Sequence, residues 1–269
     1  DFFHLFGQSE GEKGEFMTPQ MADFFQGMTQ SLAEKGFLKM FFLEISGKRV
    51  AAVTGSYQEM EAALRPGMRI LDLGSGRTPA LGPESRPPGC RYVGLDISLS
   101  ELQKAPAGSY DEMFQADAIA RNPALENSFD LVLSFQVLEH VKPLEAAFEN
   151  MIAYLKPGGR LVAQMSGTFS LFGLINQVLP QALAVWVLRK ATRRSPESIF
   201  PAHYHHCWAS KLERMVSSCS EREVHPLYLG ADYFTFFSPL ARLYLVYENR
   251  AMRGRHRNLA SHYLVTAVR

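Results

Sequence analysis

Three acidic residues and one glycine turn have the types and spacing of a nucleoside site. Ile70-Leu71-Asp72-Leu73 is an apolar run carrying a carboxylate near its end, and Gly74-Ser75-Gly76 follows at once. A buried parallel strand that breaks sharply into glycines leaves space for a ligand against the turn. Arg91-Tyr92-Val93-Gly94-Leu95-Asp96 repeats the pattern about twenty residues after the turn, where a carboxylate can accept hydrogen bonds from both hydroxyls of a ribose. A third acid, Asp117, follows the short run Glu112-Met113-Phe114. A nicotinamide dinucleotide site would need a further glycine opening a phosphate-binding helix. The chain instead has Arg77-Thr78-Pro79-Ala80-Leu81-Gly82-Pro83, a poor start for such a helix and a poor cradle for a pyrophosphate.

Two further groups could move protons or hold an acceptor. His140 lies in Leu138-Glu139-His140-Val141, at the end of an expected strand; it is a candidate base, the alternative being a structural part of the turn. His203-Tyr204-His205-His206-Cys207-Trp208 is the densest polar-aromatic cluster of the chain. Four potential ligands in five residues invite a zinc reading. The spacing supplies no second half, and Cys219 alone does not complete one, so no metal is expected.

The elements that must position these residues read as an α/β domain. Strands are expected at Ile70–Leu73, Arg91–Asp96, Glu112–Phe114 and Phe129–Ser134, with Leu155-Lys156-Pro157-Gly158-Gly159 turning into a fifth and Val224–Leu229 and Tyr263–Val268 closing the sheet. A helix is expected from Pro239 to Arg257, and another beginning near Ser210. Asp130 reads as a residue that fixes the sheet.

In order, the motifs Leu71-Asp72-Leu73-Gly74-Ser75-Gly76, Gly94-Leu95-Asp96, Asp117, Phe129-Asp130 through Val137-Leu138-Glu139-His140-Val141, and Leu155-Lys156-Pro157-Gly158-Gly159 resemble the class I S-adenosylmethionine-dependent methyltransferases over roughly residues 66 to 165. The resemblance implies a Rossmann-like seven-stranded sheet, mostly parallel, flanked by helices, with its last strand antiparallel. It implies S-adenosylmethionine as cofactor. Asp72, Gly74, Ser75 and Gly76 would lie beside the methionine portion and Asp96 on the ribose hydroxyls, with Ile97 against adenine. Asp117 and Ala118 would meet the adenine edge, and Phe135 and Gln136 the sulfonium end. In related enzymes a segment at the second cluster closes over the acceptor, which makes His203, Tyr204 and His206 candidates to orient or deprotonate it.

Residues 1–54 read as a separate accessory segment. Thr18 or Pro19 starts an amphipathic helix to about Lys35, and a hairpin follows at Lys39–Ile45 and Arg49–Thr54. Residues 1 to about 52 resemble part of a GNAT-superfamily acyltransferase, about one third of such a domain and without an acyl-CoA pyrophosphate loop. No acyl transfer is expected from it. The methyltransferase domain is expected over 55–269, with an insertion at 167–202. Within that insertion, Leu171 to Leu188 carry no charge, and Arg189-Lys190 and Arg193-Arg194 follow. Asn176, Gln177, Pro180 and Gln181 argue against a membrane span. The stretch reads as a helical lid over an apolar acceptor, or, with residues 171–194 taken together, as a shallow contact with an anionic membrane surface.

Apolar residues make up 46% of the 269 positions and charged residues 20%, ordinary values for a globular protein. The net charge of +1 conceals a basic third: from residue 189 onward the balance is +7, against −6 before it. That is too little to mark a dedicated nucleic-acid binder, and no nucleic acid is expected as partner. Three scattered cysteines suit a reducing cytoplasm, with peripheral contact at the inner membrane face as an extension. Asp1-Phe2-Phe3-His4 shows neither an initiator methionine nor a leader pattern, as in an excerpt of a longer chain. The expected activity is methylation, at oxygen, of a small or lipid-linked acceptor of glycan or cell-envelope chemistry. The alternatives are a quinone- or polyketide-like apolar acceptor, or a cofactor-binding partner without catalysis in a biosynthetic assembly.

Overall fold

A computed structural model describes residues 40–45, 48–54, 60, 62–169, 173–174, 203–228, 230 and 238–269, in two compact units, Asp1–Ala62 and Ala63–Arg269. In the first unit β1 (Met40–Ile45) and β2 (Lys48–Thr54) form the expected antiparallel hairpin, with an irregular register between Leu43 and Glu44. The helix expected at 18–35 and most of the insertion at 167–202 lie outside the described residues.

The second unit is built on a seven-stranded sheet. In chain order its strands are β3 (Arg69–Leu73), β4 (Arg91–Asp96), β5 (Glu112–Gln115), β6 (Phe129–Phe135), β7 (Leu155–Ser166), β8 (Ser220–Leu227) and β9 (His262–Val268). They lie side by side in the order β5-β4-β3-β6-β7-β9-β8. The first five run parallel, and β9 is antiparallel to both its neighbours. Ile70, Leu71 and Leu73 are buried, as continuous apolar runs in a two-sided sheet must be. The chain enters at β3, winds outward through β4 and β5, then crosses back to β6. The β3/β6 boundary is therefore the point where strand order reverses, and ligands of open α/β sheets bind outside the carboxyl ends there.

Four α-helices are described: α1 (Leu99–Gln103), α2 (Leu144–Tyr154), α3 (Ala209–Met215) and α4 (Ser238–Arg253). In α2 the buried residues Leu144, Ala147, Phe148, Met151 and Tyr154 recur every three or four positions, one stripe packed into the core with Phe129, Leu155 and Leu161. Asp130 fixes the sheet as expected, accepting from the Arg69 N–H and from Lys156 Nζ, each at 2.8 Å.

Boundaries differ from the sequence reading in three places. The Leu155–Gly159 turn is absorbed into a twelve-residue β7, whose pairing with β6 slips between Phe129 and Leu131. The start expected near Ser210 falls one residue earlier, α3 opening at Ala209 with Trp208 at its cap, and the Asn258 side chain, from far along the chain, accepts from the Ser210 N–H at 3.1 Å. The helix α4 ends at Arg253, four residues early, before a short 3-10 turn at Arg257–Leu259.

Candidate active site

The glycine turn after β3 is held from beneath by two tyrosines. Asp72 is 1% exposed and turns inward: its Oδ2 accepts from the Tyr92 hydroxyl at 2.6 Å and from the Ala80 N–H at 2.8 Å. The Tyr92 oxygen accepts in turn from the Leu81 N–H at 3.1 Å, and Arg86 lies 3.7 Å over the Tyr92 ring while donating to the Leu81 carbonyl. Asp72 thus shapes the loop from 74 to 81. Burial pushes its carboxyl up to about 6, against the opposing pull of Tyr92 and Ala80.

Tyr110 secures the turn's other end, donating to the Gly76 carbonyl at 2.9 Å. Its ring lies where a Cβ on Gly94 would stand, 2.8 Å away, which explains that glycine without any special backbone angle. Gly74 has φ +78°, and a Cβ there would come within 2.3 Å of the Val137 side chain from the end of β6. The two strand ends at the reversal point are in contact through this pair. Arg77 forks onto Glu101 at 2.7 and 3.0 Å, tying the turn to α1.

At the end of β4, Asp96 is half-buried. Its Oδ2 accepts from the Gly76 N–H at 3.0 Å and its Oδ1 from the Ser98 N–H at 2.8 Å, so the carboxylate joins the glycine turn to α1. Burial outweighs both bonds and holds this carboxyl above its ordinary value. A carboxylate oxygen accepts more than one bond, so both retain capacity for ribose hydroxyls. Ile97, the next residue, is 59% exposed, a large apolar side chain left on the surface beside a carboxylate, as an adenine platform requires. Asp117 is exposed and accepts from the Ile119 N–H at 3.1 Å; the Ala118 carbonyl accepts from buried Asn150 of α2 at 2.9 Å. Asp96, Ile97 and the glycine turn fit a nucleoside without a pyrophosphate.

Beyond β6 the chain tightens. Gln136 takes φ +56°, a left-handed conformation uncommon outside glycine, and its N–H donates to the Gln164 carbonyl at 2.9 Å. Phe135 is half-buried. The Ser166 hydroxyl lies 3.1 Å from Gln136 Oε1 and 2.9 Å from Glu139 Oε1. One hydroxyl has one proton, so both contacts are satisfied when Gln136 presents its amide nitrogen to Ser166. Glu139 is 4% exposed, and burial raises its carboxyl above the ordinary value, an effect that neighbouring His140 opposes. Its carbonyl accepts from both the His203 and Tyr204 N–H groups, each at 2.9 Å.

Glu139 therefore brings the two sequence clusters together at one mouth. Of the proton-transfer candidates, His140 is half-buried and His203 exposed. Tyr204 is 5% exposed with φ +48°, and its carbonyl accepts from Thr168 at 2.6 Å: it packs the segment in place. His206 Nδ1 is hydrogen-bonded to Glu145. Sequence reasoning assigned no role to Glu139, Tyr92, Tyr110 or Glu145. The first lies in a motif read for its histidine, and the others act across the fold, with no local signal. Two clefts of about 750 and 850 Å³ elsewhere, along α4 and between α3 and β8, contain none of these site residues.

A methyltransferase-domain family model matches residues 42–216. Demethylmenaquinone methyltransferase of Beutenbergia cavernae is 31% identical over 140 residues, covering 50% of this chain and 56% of that protein. The ubiquinone biosynthesis O-methyltransferase of a Chelativorans species is 33% identical over 113 residues, 40% of this chain and 44% of that protein. A highly reducing polyketide synthase of Gibberella zeae is 27% identical over 162 residues, 54% of this chain and 6% of that protein. The chain spans about half the length of the two methyltransferases and a small part of the synthase. Among solved structures, a possible exported protein from Bordetella parapertussis shares the fold at 14% identity and TM-score 0.50, over 99% of this chain and 78% of that one. Haemonchus contortus phosphoethanolamine N-methyltransferase 2, solved with S-adenosylmethionine, aligns at 16% identity and TM-score 0.48, over 80% and 52% of the two chains.

The fold and the turn define a Rossmann-like nucleoside-binding domain. The chain belongs to the methyltransferase-domain family, and its cofactor is S-adenosylmethionine. The family match begins at residue 42, inside the segment read as an acyltransferase fragment, and the acyltransferase resemblance is not supported. Among the described residues no helix is long and apolar enough to cross a membrane.

Proposed function

We propose that this protein methylates a hydroxyl of an apolar small-molecule or lipid-linked acceptor. The observation that carries the proposal is the shared mouth at β6, where the Glu139 carbonyl, next in the chain to His140, accepts from the backbone of His203 and Tyr204. When bound, S-adenosylmethionine supplies a methyl group already activated as a sulfonium. Asp96 and Ile97 hold the nucleoside, and the turn at Gly74–Gly76 with Val137 closes one wall of the crevice. His140 takes the acceptor's hydroxyl proton. Alignment of acceptor, methyl and sulfur supplies much of the remaining rate.

Two relatives whose printed names concern ubiquinone and demethylmenaquinone support an apolar acceptor. The uncharged run at 171–188 and the basic residues after it support the same reading, together with contact at an anionic membrane surface. The test is transfer of labelled methyl to phenols, quinols, free sugars and polyprenyl-linked sugars, with His140→Gln alongside. Transfer to a hydroxyl that falls about 100-fold or more in His140→Gln supports the proposal. Transfer only to amines or carbon, or an unaffected variant, overturns it.

A further inference from the structure

The zinc reading of the 203–208 cluster fails on sequence for want of a second half, and the fold supplies one from 60 residues upstream. Glu145, in the first turn of α2, faces both His205 and His206, and one ligand atom from each lies within 4.8 Å of the others. We propose that Glu145, His205 and His206 bind one divalent transition-metal ion of the zinc class through one carboxylate oxygen and two imidazole nitrogens, leaving a fourth position for water.

The geometry of the two rings carries the argument. Their centroids are 3.7 Å apart with the planes tilted by 36°, so both imidazoles stand beside the same carboxylate. His206 Nδ1 is in contact with Glu145 Oε1. His205 Nδ1 is buried without a hydrogen-bond partner, 3.9 Å from Glu145 Oε2. A cation between this unpartnered ring nitrogen and the carboxylate oxygen would satisfy both. Tetrahedral zinc holds its nitrogen and oxygen ligands about 3.4 Å apart. His205 Nδ1 and Glu145 Oε2 need close by only about half an ångström to reach that spacing.

The surroundings suit this donor set. Trp208 meets the His206 ring edge-on at 5.2 Å, fixing its plane. Cys207 points elsewhere, its buried thiol directed at the His205 carbonyl at 3.6 Å. Lys211 Nζ stands 3.8 Å from Glu145 Oε1 and is the competing cation; its long stem lets it withdraw. The ion would pin the 203–208 segment to the start of α2, reinforcing the backbone bonds from Glu139. This site does not depend on the methyl acceptor proposed above.

The test uses the untagged chain, stripped with a chelator and titrated with Co²⁺ as a spectroscopic probe, with Zn²⁺ in competition. The expected result is one ion per chain, with visible bands of low coordination and no sulfur-to-metal charge transfer. Glu145→Gln and His205→Gln should each weaken binding about 100-fold or more, since losing even an outer-sphere partner of a ligand costs 10–100-fold. His225→Gln, at a half-buried histidine paired with Glu223 on β8, should leave binding unchanged. No uptake, or uptake that survives both ligand substitutions, overturns the proposal. Should a variant fail to fold, X-ray absorption on the zinc-loaded wild type decides: two imidazoles with oxygen support the site, and sulfur or oxygen alone overturns it.

Discussion

Replacing Asp72 with asparagine isolates the energetic cost of the carboxylate beneath the glycine turn. The amide oxygen of asparagine can still accept from the Tyr92 hydroxyl and the Ala80 N–H, so loop geometry is preserved while the charge is removed. In the folded protein the carboxyl titrates at about 6, against 3.8 for the free side chain. Between those values the folded state holds a proton that the unfolded chain has released. Stability contributed by Asp72 therefore falls as pH rises from about 4 to about 6, and the loss is complete above that window. At about 1.4 kcal/mol per unit the cost is about 3 kcal/mol at neutral pH. His262 works in the opposite direction over an overlapping window, so the wild-type curve alone conceals the effect. The comparison must be Asp72→Asn minus wild type, by urea unfolding followed by circular dichroism at pH 4, 5, 6 and 7.5. The difference should move in favour of the variant by about 3 kcal/mol across that range. A difference independent of pH, or one moving in favour of the wild type, would refute the reasoning.

Two further outcomes follow from the same geometry. Burial in β9 holds His262 neutral down to about 4, against an ordinary 6.5, so its contribution to stability is lost as pH falls from about 6.5 to 4. His262→Gln should gain about 3 kcal/mol on wild type as pH falls from about 7.5 to about 4.5, read as the difference between their urea unfolding free energies; a difference independent of pH would contradict the assignment. Gly74→Ala places a methyl at φ +78° within 2.3 Å of Val137. It should cost about 1–3 kcal/mol and weaken S-adenosylmethionine binding, with Val137→Ala restoring part of the loss; thermal melts and calorimetry would show it, and a variant indistinguishable from wild type would count against the crowded wall.

Much of the sheet was legible because its strands announce themselves locally. The apolar runs at 70–73, 91–95 and 129–135 need burial on both faces, and each ends in the residues that turn the chain toward the site. What sequence could not supply were pairings across the fold. The bond from the Tyr92 hydroxyl to Asp72, from the neighbouring strand, leaves no mark in the residues around either. The acceptor for the Ser210 N–H in the first turn of α3 is Asn258, and the partner of His206 is Glu145, neither of which has any local signature. The slip between Phe129 and Leu131 arises where Gly158 adopts φ +77°, so a stretch that reads as a turn extends β7 instead. The GNAT resemblance rested on short aromatic-rich stretches between residues 1 and 52, and the family match, from residue 42, runs into the last of them.

The central claim is that the carboxylate at the end of β4 receives the ribose of S-adenosylmethionine, and calorimetric titration of wild type and Asp96→Asn tests it most directly. Asparagine retains one accepting oxygen where the carboxylate has two, and bonds to a charged acceptor are worth about 1.5–3 kcal/mol each. The account predicts one S-adenosylmethionine bound per wild-type chain, and about 100-fold weaker binding by a folded Asp96→Asn. Absence of binding by the wild type, or equal affinity in the variant, would contradict it.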